Sequence, residues 1–185
     1  MGRSLKITGF ACVLSLGFLL LISGAPGRGF ADTDATMARA QHDSHFVISA
    51  HVGSVRGKTV SAIVILDIQS GWHIYASDPG DVGMPTRLWF DGRHARSLEV
   101  FWPKFREEFD KIGGKVLKSN IYEGTVAFPI VFKVSGKYDS VPLSVSFAVC
   151  GESCIPKKVS LDISPVSKEL ENHEILSLIE DWKTR

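Results

Sequence analysis

The sequence has few cysteines and almost no charge imbalance, and both shortages exclude classes of protein. Three cysteines among 185 residues are too few for a disulfide-rich scaffold. Lys and Arg together number 21, and Asp and Glu number 20, so no basic excess is available to bind nucleic acid. Hydrophobic residues make up 44% of the chain, which argues against disorder over its whole length. The length is suited to one domain of ordinary size.

The first 31 residues have the pattern of a secretory signal. Arg3 and Lys6 precede a long apolar run that starts at Ile7. Gly29 and Ala31 supply the small residues that signal cleavage requires, so we predict cleavage after about Ala31. The alternative is an uncleaved membrane anchor, because the apolar run approaches the roughly 20 residues that span a bilayer.

The rest of the chain is typical of an all-β domain. Residues 32–44 are polar and small, and we interpret them as a flexible leader. Segments such as 59–68 are rich in β-branched residues, and 141–149 alternates between apolar and small residues. Turn signals separate these runs, and seven or eight short strands within residues 45–165 predict a sandwich of two antiparallel sheets.

The tail, residues 166–185, has a different periodicity. Its apolar residues recur at helical spacing, and Ser167 is a candidate N-terminal cap. We therefore predict one short C-terminal helix that packs on the sandwich or on a partner. The residues of its apolar face are Leu170, Ile175, Leu178, Ile179 and Trp182.

The segment that carries the chemistry contains Cys150 and Cys154. Cys12 lies in the expected signal, so these are the two cysteines of the exported chain. Residues four apart in a straight strand are roughly 13 Å apart, whereas a disulfide needs Cα atoms within about 7 Å. The chain must therefore turn between the two cysteines, and Gly151 with its neighbours is suitable turn material.

Three functions are compatible with this spacing. A redox pair is one of them, because a small ring at a turn is accessible and easily reduced. A structural disulfide is the second, although so short a ring contributes only about 2 kcal/mol of loop-closure entropy. The third is a Cu(I) or Zn(II) site that combines both thiolates with a histidine. The candidate histidines are His42, His45, His51, His73 and His94.

Four motifs resemble the N-terminal periplasmic domain of the thiol:disulfide interchange protein DsbD, especially the version found in its copper-tolerance relative ScsB. They occur in the order that this family shows and cover roughly residues 45–164. The motifs are G-W-H-I-Y-A-S-D-P-G-D-V-G-M-P-T at 71–86, W-P at 102–103, Y-E-G-T-V-A-F-P-I at 122–130 and V-C-G-E-S-C-I-P at 149–156.

This resemblance implies a periplasmic, immunoglobulin-like β-sandwich with a redox-active cysteine pair and no cofactor. Carried over by position, Cys154 attacks the disulfide of a partner and Cys150 resolves the mixed disulfide. The segment at 106–109 resembles a cap loop in which Glu107 and Glu108 precede Phe109, whose ring shields the disulfide. Tyr75 resembles an aromatic residue close to the same site. From the residues alone, plain surface charge is the favoured interpretation of the two glutamates, and only the resemblance to the cap loop makes a role at the site equally compatible.

The sequence departs from DsbD in two ways. The cysteines of DsbD are spaced more widely, and this chain contains no multi-helix membrane segment and no thioredoxin-like sequence. The resemblance therefore implies a separate membrane electron transporter or thioredoxin-like domain as reductant, and thioredoxin-fold periplasmic proteins as substrates. The protein would then be a component of a protein-disulfide reductase system. A periplasmic copper chaperone or adaptor, and an interaction domain with a structural disulfide, are the rival functions.

Overall fold

The computed structural model describes residues 40–136, 139–165 and 169–185. In these residues the chain forms twelve strands and one helix. The expected signal, most of the expected leader and Ser167 lie outside the described residues. The strands are β1 (Gln41–His42), β2 (Phe46–Arg56), β3 (Thr59–Ile68), β4 (His73–Gly80), β5 (Arg87–Phe90), β6 (Ala95–Val100), β7 (Arg106–Ile112), β8 (Lys115–Glu123), β9 (Thr125–Val134), β10 (Val141–Cys150), β11 (Cys154–Ile163) and β12 (Glu169–Glu171), and the helix is α1 (His173–Lys183).

The strands form two antiparallel sheets, which we call sheet A and sheet B. Sheet A has the order β1-β2-β3-β9-β6, and β12 also pairs with β2. Sheet B has the order β11-β10-β4-β8-β7, and β5 also pairs with β10. The structure thus confirms the predicted all-β, immunoglobulin-like sandwich with a short C-terminal helix.

The core lies between the two sheets and is built by alternating residues of their strands. The even-numbered residues of β3 from Val60 to Ile68 are buried. The odd-numbered residues of β10 from Leu143 to Val149 are buried as well. Phe46 of sheet A meets Phe147 of sheet B edge to face, with ring centroids 5.0 Å apart. Because burial repeats every second residue, each strand has one face in the core and one facing outward.

The helix covers part of the outer face of sheet A. Ile179 is buried there together with Ile63 of β3 and Ala127 of β9. Asn172 caps the helix, because its side chain accepts a hydrogen bond from the backbone N–H of Ile175 at 3.2 Å. No helix in the described part of the chain is long and apolar enough to cross a membrane.

Both ends of the sandwich domain contain more strand than the sequence predicts. The range interpreted as leader includes β1, in which Gln41 pairs with Ile48 of β2. The range interpreted as helix begins in the structure with β12, which pairs with the far end of β2, and the helix starts only at His173. Helical periodicity alone does not reveal that an open edge of sheet A is available for pairing.

Candidate functional site

The two cysteines lie opposite each other where β10 turns into β11. The pairing of these strands runs without interruption from Val141 and Ile163 to Cys150 and Cys154. The cysteines form a disulfide, and their Cα atoms are 4.1 Å apart. In the turn, the N–H of Gly151 donates to the carbonyl oxygen of Ser153 at 3.1 Å. The turn expected from the spacing of the cysteines is therefore present.

The two cysteines differ strongly in exposure. Cys150 is only 1% exposed, whereas Cys154 is exposed to solvent. The sheet explains the difference, because β10 has β11 on one side and β4 on the other, while β11 is an edge strand. A thiolate arriving from solvent can therefore reach the sulfur of Cys154 more readily than that of Cys150.

A row of polar residues continues from the disulfide across sheet B. Cys150 pairs with His73 of β4, and His73 pairs with Glu123 of β8. Directly paired residues place their side chains on one face, with Cβ atoms about 4.5–5.5 Å apart. That face is the outer one, because the adjacent residues Ile74 and Val149 are buried in the core. We call Cys150, His73 and Glu123 the outer-face row.

Two contacts hold the outer-face row in place. The ring of Tyr75 meets the ring of His73 edge to face, with centroids 5.3 Å apart and planes at 88°. Glu123 accepts hydrogen bonds from Arg106 of β7, at 3.1 Å from Nε and 3.0 Å from the terminal nitrogen. The imidazole of His73 is therefore flanked by the cysteine on one side and by an ion pair on the other.

Tyr75 shares the outer face of sheet B, next to the outer-face row. Its ring lies so close to Gly83 that a Cβ there would come within 2.3 Å, and the φ of +107° at Gly83 also favours glycine. Its backbone carbonyl accepts a hydrogen bond from the Thr86 hydroxyl at 2.6 Å. Burial raises the pKa of Tyr75, and the negative charges of Asp110 and Glu108 raise it further. The hydroxyl therefore stays protonated at neutral pH.

Trp72 packs against the turn that joins the cysteines. A Cβ at Gly151 would come within 3.0 Å of the indole, so a larger residue there would require Trp72 to shift by a few tenths of an ångström. On the same ring, His45 stacks at a centroid distance of 3.8 Å. Trp72 thus connects the turn between the cysteines to His45, which directly precedes β2.

The segment expected to be a cap loop is part of β7, the edge strand of sheet B. Tyr75 pairs with Ile121 of β8, and Ile121 pairs in turn with Arg106 of β7. The side chains of Tyr75 and Arg106 therefore share the outer face. Alternation along β7 places Glu108 on that face as well. Glu107 and Phe109 then point to the opposite face.

Strand order also separates Phe109 from the disulfide. Three strand spacings lie between β7 and β10, which is roughly 14 Å at about 4.8 Å for each spacing. The side chain of Phe109 is 62% exposed. The structure therefore brings Tyr75 and Glu108 to the face of the cysteine pair but does not bring Glu107 and Phe109 there. This placement of Phe109 does not favour the shielding of the disulfide that the resemblance implies, and substitution of Phe109 can test it.

The sequence analysis treated His73 only as one of several candidate metal ligands. The alternation in W-H-I-Y could have identified it, because His73 and Tyr75 occupy same-face positions of one strand. What the alternation could not supply is the pairing partner of that strand. In the described part of the chain, no group of three or more His, Cys, Asp or Glu residues is arranged to hold a metal ion.

The family match and the structure of the ScsB domain agree with this architecture. Residues 41–164 match the family described as "Thiol:disulfide interchange protein DsbD, N-terminal". The N-terminal periplasmic domain of ScsB from Proteus mirabilis superposes with a TM-score of 0.66 at 16% identity, and the match covers 80% of this chain and 58% of that one. The DsbD N-terminal domain from Neisseria meningitidis in its reduced form gives a TM-score of 0.37 at 18% identity, over 61% of this chain and 83% of that one. A comparison with curated protein sequences finds no significant match.

The fold and the cysteine pair define an immunoglobulin-like sandwich that carries a disulfide at the turn between two strands. The family match spans about two thirds of the sequence, and the chain belongs to the family of DsbD N-terminal domains. The ScsB domain that shares the fold is periplasmic. This chain spans 58% of that ScsB domain.

Proposed function

We propose that this domain transfers electrons between a membrane-linked reductant and periplasmic disulfide proteins through Cys150 and Cys154. The observation that carries the proposal is the exposure of Cys154 beside a buried Cys150 in one disulfide. A purely structural disulfide needs no accessible sulfur, whereas an exchanging disulfide needs one sulfur that a partner can reach.

The chemistry follows from this asymmetry. In the reduced domain, the Cys154 thiolate attacks one sulfur of a partner disulfide and forms a mixed disulfide, while the other partner sulfur leaves as a thiolate. The Cys150 thiolate then attacks the Cys154 sulfur. The bond to the partner breaks, and the electron pair stays on the partner sulfur. The partner has gained two electrons, and the Cys150–Cys154 disulfide has formed again.

The reductant is proposed to be a separate membrane electron transporter or a thioredoxin-like domain, and the substrates thioredoxin-fold proteins of the periplasm. Membership of the DsbD N-terminal family supports this proposal. The position of Cys154 also supports it, since the end of an edge strand is open to the flat surface around a thioredoxin active site.

The test uses single-cysteine variants and a covalent probe. The probe is a thioredoxin variant that keeps only its attacking cysteine, preloaded with thionitrobenzoate as a mixed disulfide. With reduced Cys150→Ala, we expect Cys154 to displace thionitrobenzoate and the thioredoxin adduct to accumulate on a non-reducing gel. With the unmodified domain, we expect the adduct to form and then disappear as Cys150 resolves it.

The control is Cys154→Ala, in which the remaining cysteine is buried. Little adduct should form with this variant, because the probe is too large to reach Cys150. Accumulation of adduct with Cys154→Ala instead would reverse the two roles. No adduct with either variant, in protein that remains folded, would favour a structural disulfide.

A further inference from the structure

The resolving step requires a proton to leave Cys150. This thiol is buried, and burial disfavours the charged thiolate, which is the form that attacks a disulfide. Solvent cannot readily remove the proton, because Cys150 is only 1% exposed. A base next to Cys150 would therefore speed resolution without affecting the first attack by Cys154.

We propose that His73 is the proton-transfer residue that serves Cys150 in both directions of the exchange. This inference rests on the proposed function. It assigns a role to the outer-face row that goes beyond the cysteine pair itself.

The placement of His73 supports this role. It is the direct cross-strand neighbour of Cys150, on the same face of sheet B. It is partly exposed, so its ring can exchange protons with water between turnovers. The edge-to-face contact with Tyr75 limits the rotation of the ring.

The neighbouring groups leave His73 as the suitable base. The ionisable side chains on its face of sheet B, besides the two cysteines, include Tyr75 of β4, Glu123 of β8, Arg106, Glu108 and Asp110 of β7, and Lys158 of β11, while Glu152 lies in the exposed turn after Cys150. Tyr75 stays protonated, and Glu123 is engaged by Arg106. The Glu123 carboxylate lies on the far side of His73 from Cys150, where it favours the imidazolium that forms.

The proton balance is simple in both directions. During resolution, neutral His73 accepts the proton of Cys150, the new thiolate attacks the Cys154 sulfur, and the imidazolium gives its proton to the departing partner thiolate. During reduction of the domain, a partner thiolate attacks Cys154, and the imidazolium protonates Cys150 as it leaves. His73 is neutral before the resolution step and charged before the reduction of the domain.

The test separates attack from resolution with the aromatic disulfide DTNB. Reduced domain attacks DTNB through Cys154 and releases one thionitrobenzoate, and resolution by Cys150 releases a second. In stopped-flow absorbance, we expect His73→Phe and His73→Gln to keep the first phase and to slow the second phase at neutral pH by about 100-fold, the lower end of what general acid–base catalysis contributes.

The pH profile distinguishes proton transfer from a structural effect. If His73 transfers the proton, the rate of the second phase of the unmodified domain should show a step with pH that the first phase lacks. The step should be absent in both variants. An equal slowing of both phases would indicate a structural role, and a second phase unchanged in His73→Gln would overturn the proposal.

Two controls keep the outcomes distinct. His173→Gln, at an exposed position on α1, should leave both phases unchanged. If the unmodified domain itself releases only one thionitrobenzoate and forms no intramolecular disulfide, the proposed exchange function fails independently of His73. If the unmodified domain shows both phases and the His73 variants match it, only the role of His73 fails.

Discussion

Cys150 and Cys154 are only four positions apart, yet one is buried and the other is open to solvent. Their position in sheet B produces this difference. Cys150 has strands on both sides, and Cys154 starts an edge strand. At the scale of single residues, the neighbours across the sheet therefore decide which sulfur a partner meets first and which groups surround the other.

The pKa of Tyr122 also depends on its surroundings in the fold, and the dependence of stability on pH can test this. Its hydroxyl donates to the carbonyl oxygen of Pro103 at 2.9 Å, and burial raises its pKa to about 12. In the unfolded chain a tyrosine ionises near pH 10. Between pH 10 and 12 the unfolded state therefore loses this proton first, and the free energy of unfolding falls as pH rises.

We expect the free energy of unfolding to fall by about 1.4 kcal/mol for each pH unit between pH 10 and 12 because of Tyr122, in addition to contributions from other groups. Urea unfolding of the unmodified protein and of Tyr122→Phe, followed from pH 8 to 12, measures it. The difference between the two slopes above pH 10 isolates the tyrosine. Parallel slopes would show that Tyr122 ionises as readily in the folded state as in the unfolded one.

At the scale of elements, the β7–β8 hairpin is the part of sheet B that differs most from expectation. Its residues pair continuously from Arg106 with Ile121 to Ile112 with Lys115, so the expected loop is a regular edge hairpin. Apolar side chains remain exposed on it, among them Phe109 and Val116. A strand with fixed alternation cannot turn Phe109 toward the outer face without a change of register.

Substitution of Phe109 tests whether this ring shields the disulfide. With the ring on the opposite face and 62% exposed, we expect Phe109→Ala to leave the rate of disulfide reduction by glutathione and the thermal midpoint nearly unchanged. Tyr75→Ala is the matched comparison, because Tyr75 lies on the face of the cysteine pair. We expect this substitution to increase the rate of disulfide reduction by glutathione. Faster reduction in Phe109→Ala would instead support the cap predicted from the sequence.

At the scale of the whole molecule, the helix and the cysteine pair lie on different sheets. The helix covers the outer face of sheet A, and the outer-face row lies on the outer face of sheet B. The core between the sheets separates them. Loss of helix packing should therefore lower stability without changing the chemistry of the cysteines.

Ile179→Ala tests this separation. Ile179 is 2% exposed, and truncation of a buried isoleucine to alanine costs roughly 2–5 kcal/mol of unfolding free energy. We expect a lower urea midpoint, with both DTNB phases unchanged under conditions in which the variant is folded. Glu180→Ala, at the adjacent exposed position, should change neither quantity. Slower exchange in folded Ile179→Ala would show that the two faces are coupled.

The sequence alone determined the class of fold and the location of the chemistry. Alternation in segments such as 59–68 and 141–149 depends on burial of one strand face, which is a local pattern that the structure reproduces. The cysteine spacing required a turn, and the four motifs indicated the family. The helix was also visible, although its start was not, because Glu169–Glu171 pairs with β2 instead.

Only the tertiary structure decided which residues surround the cysteines. The pairing of Cys150 with His73 joins positions 77 residues apart, and no local pattern specifies it. The face on which Phe109 lies depends on the register of β7 against β8, and a shift of one residue would reverse it. Strand register is set by packing of the complete core, so the neighbours of the redox pair emerge only when both sheets have assembled.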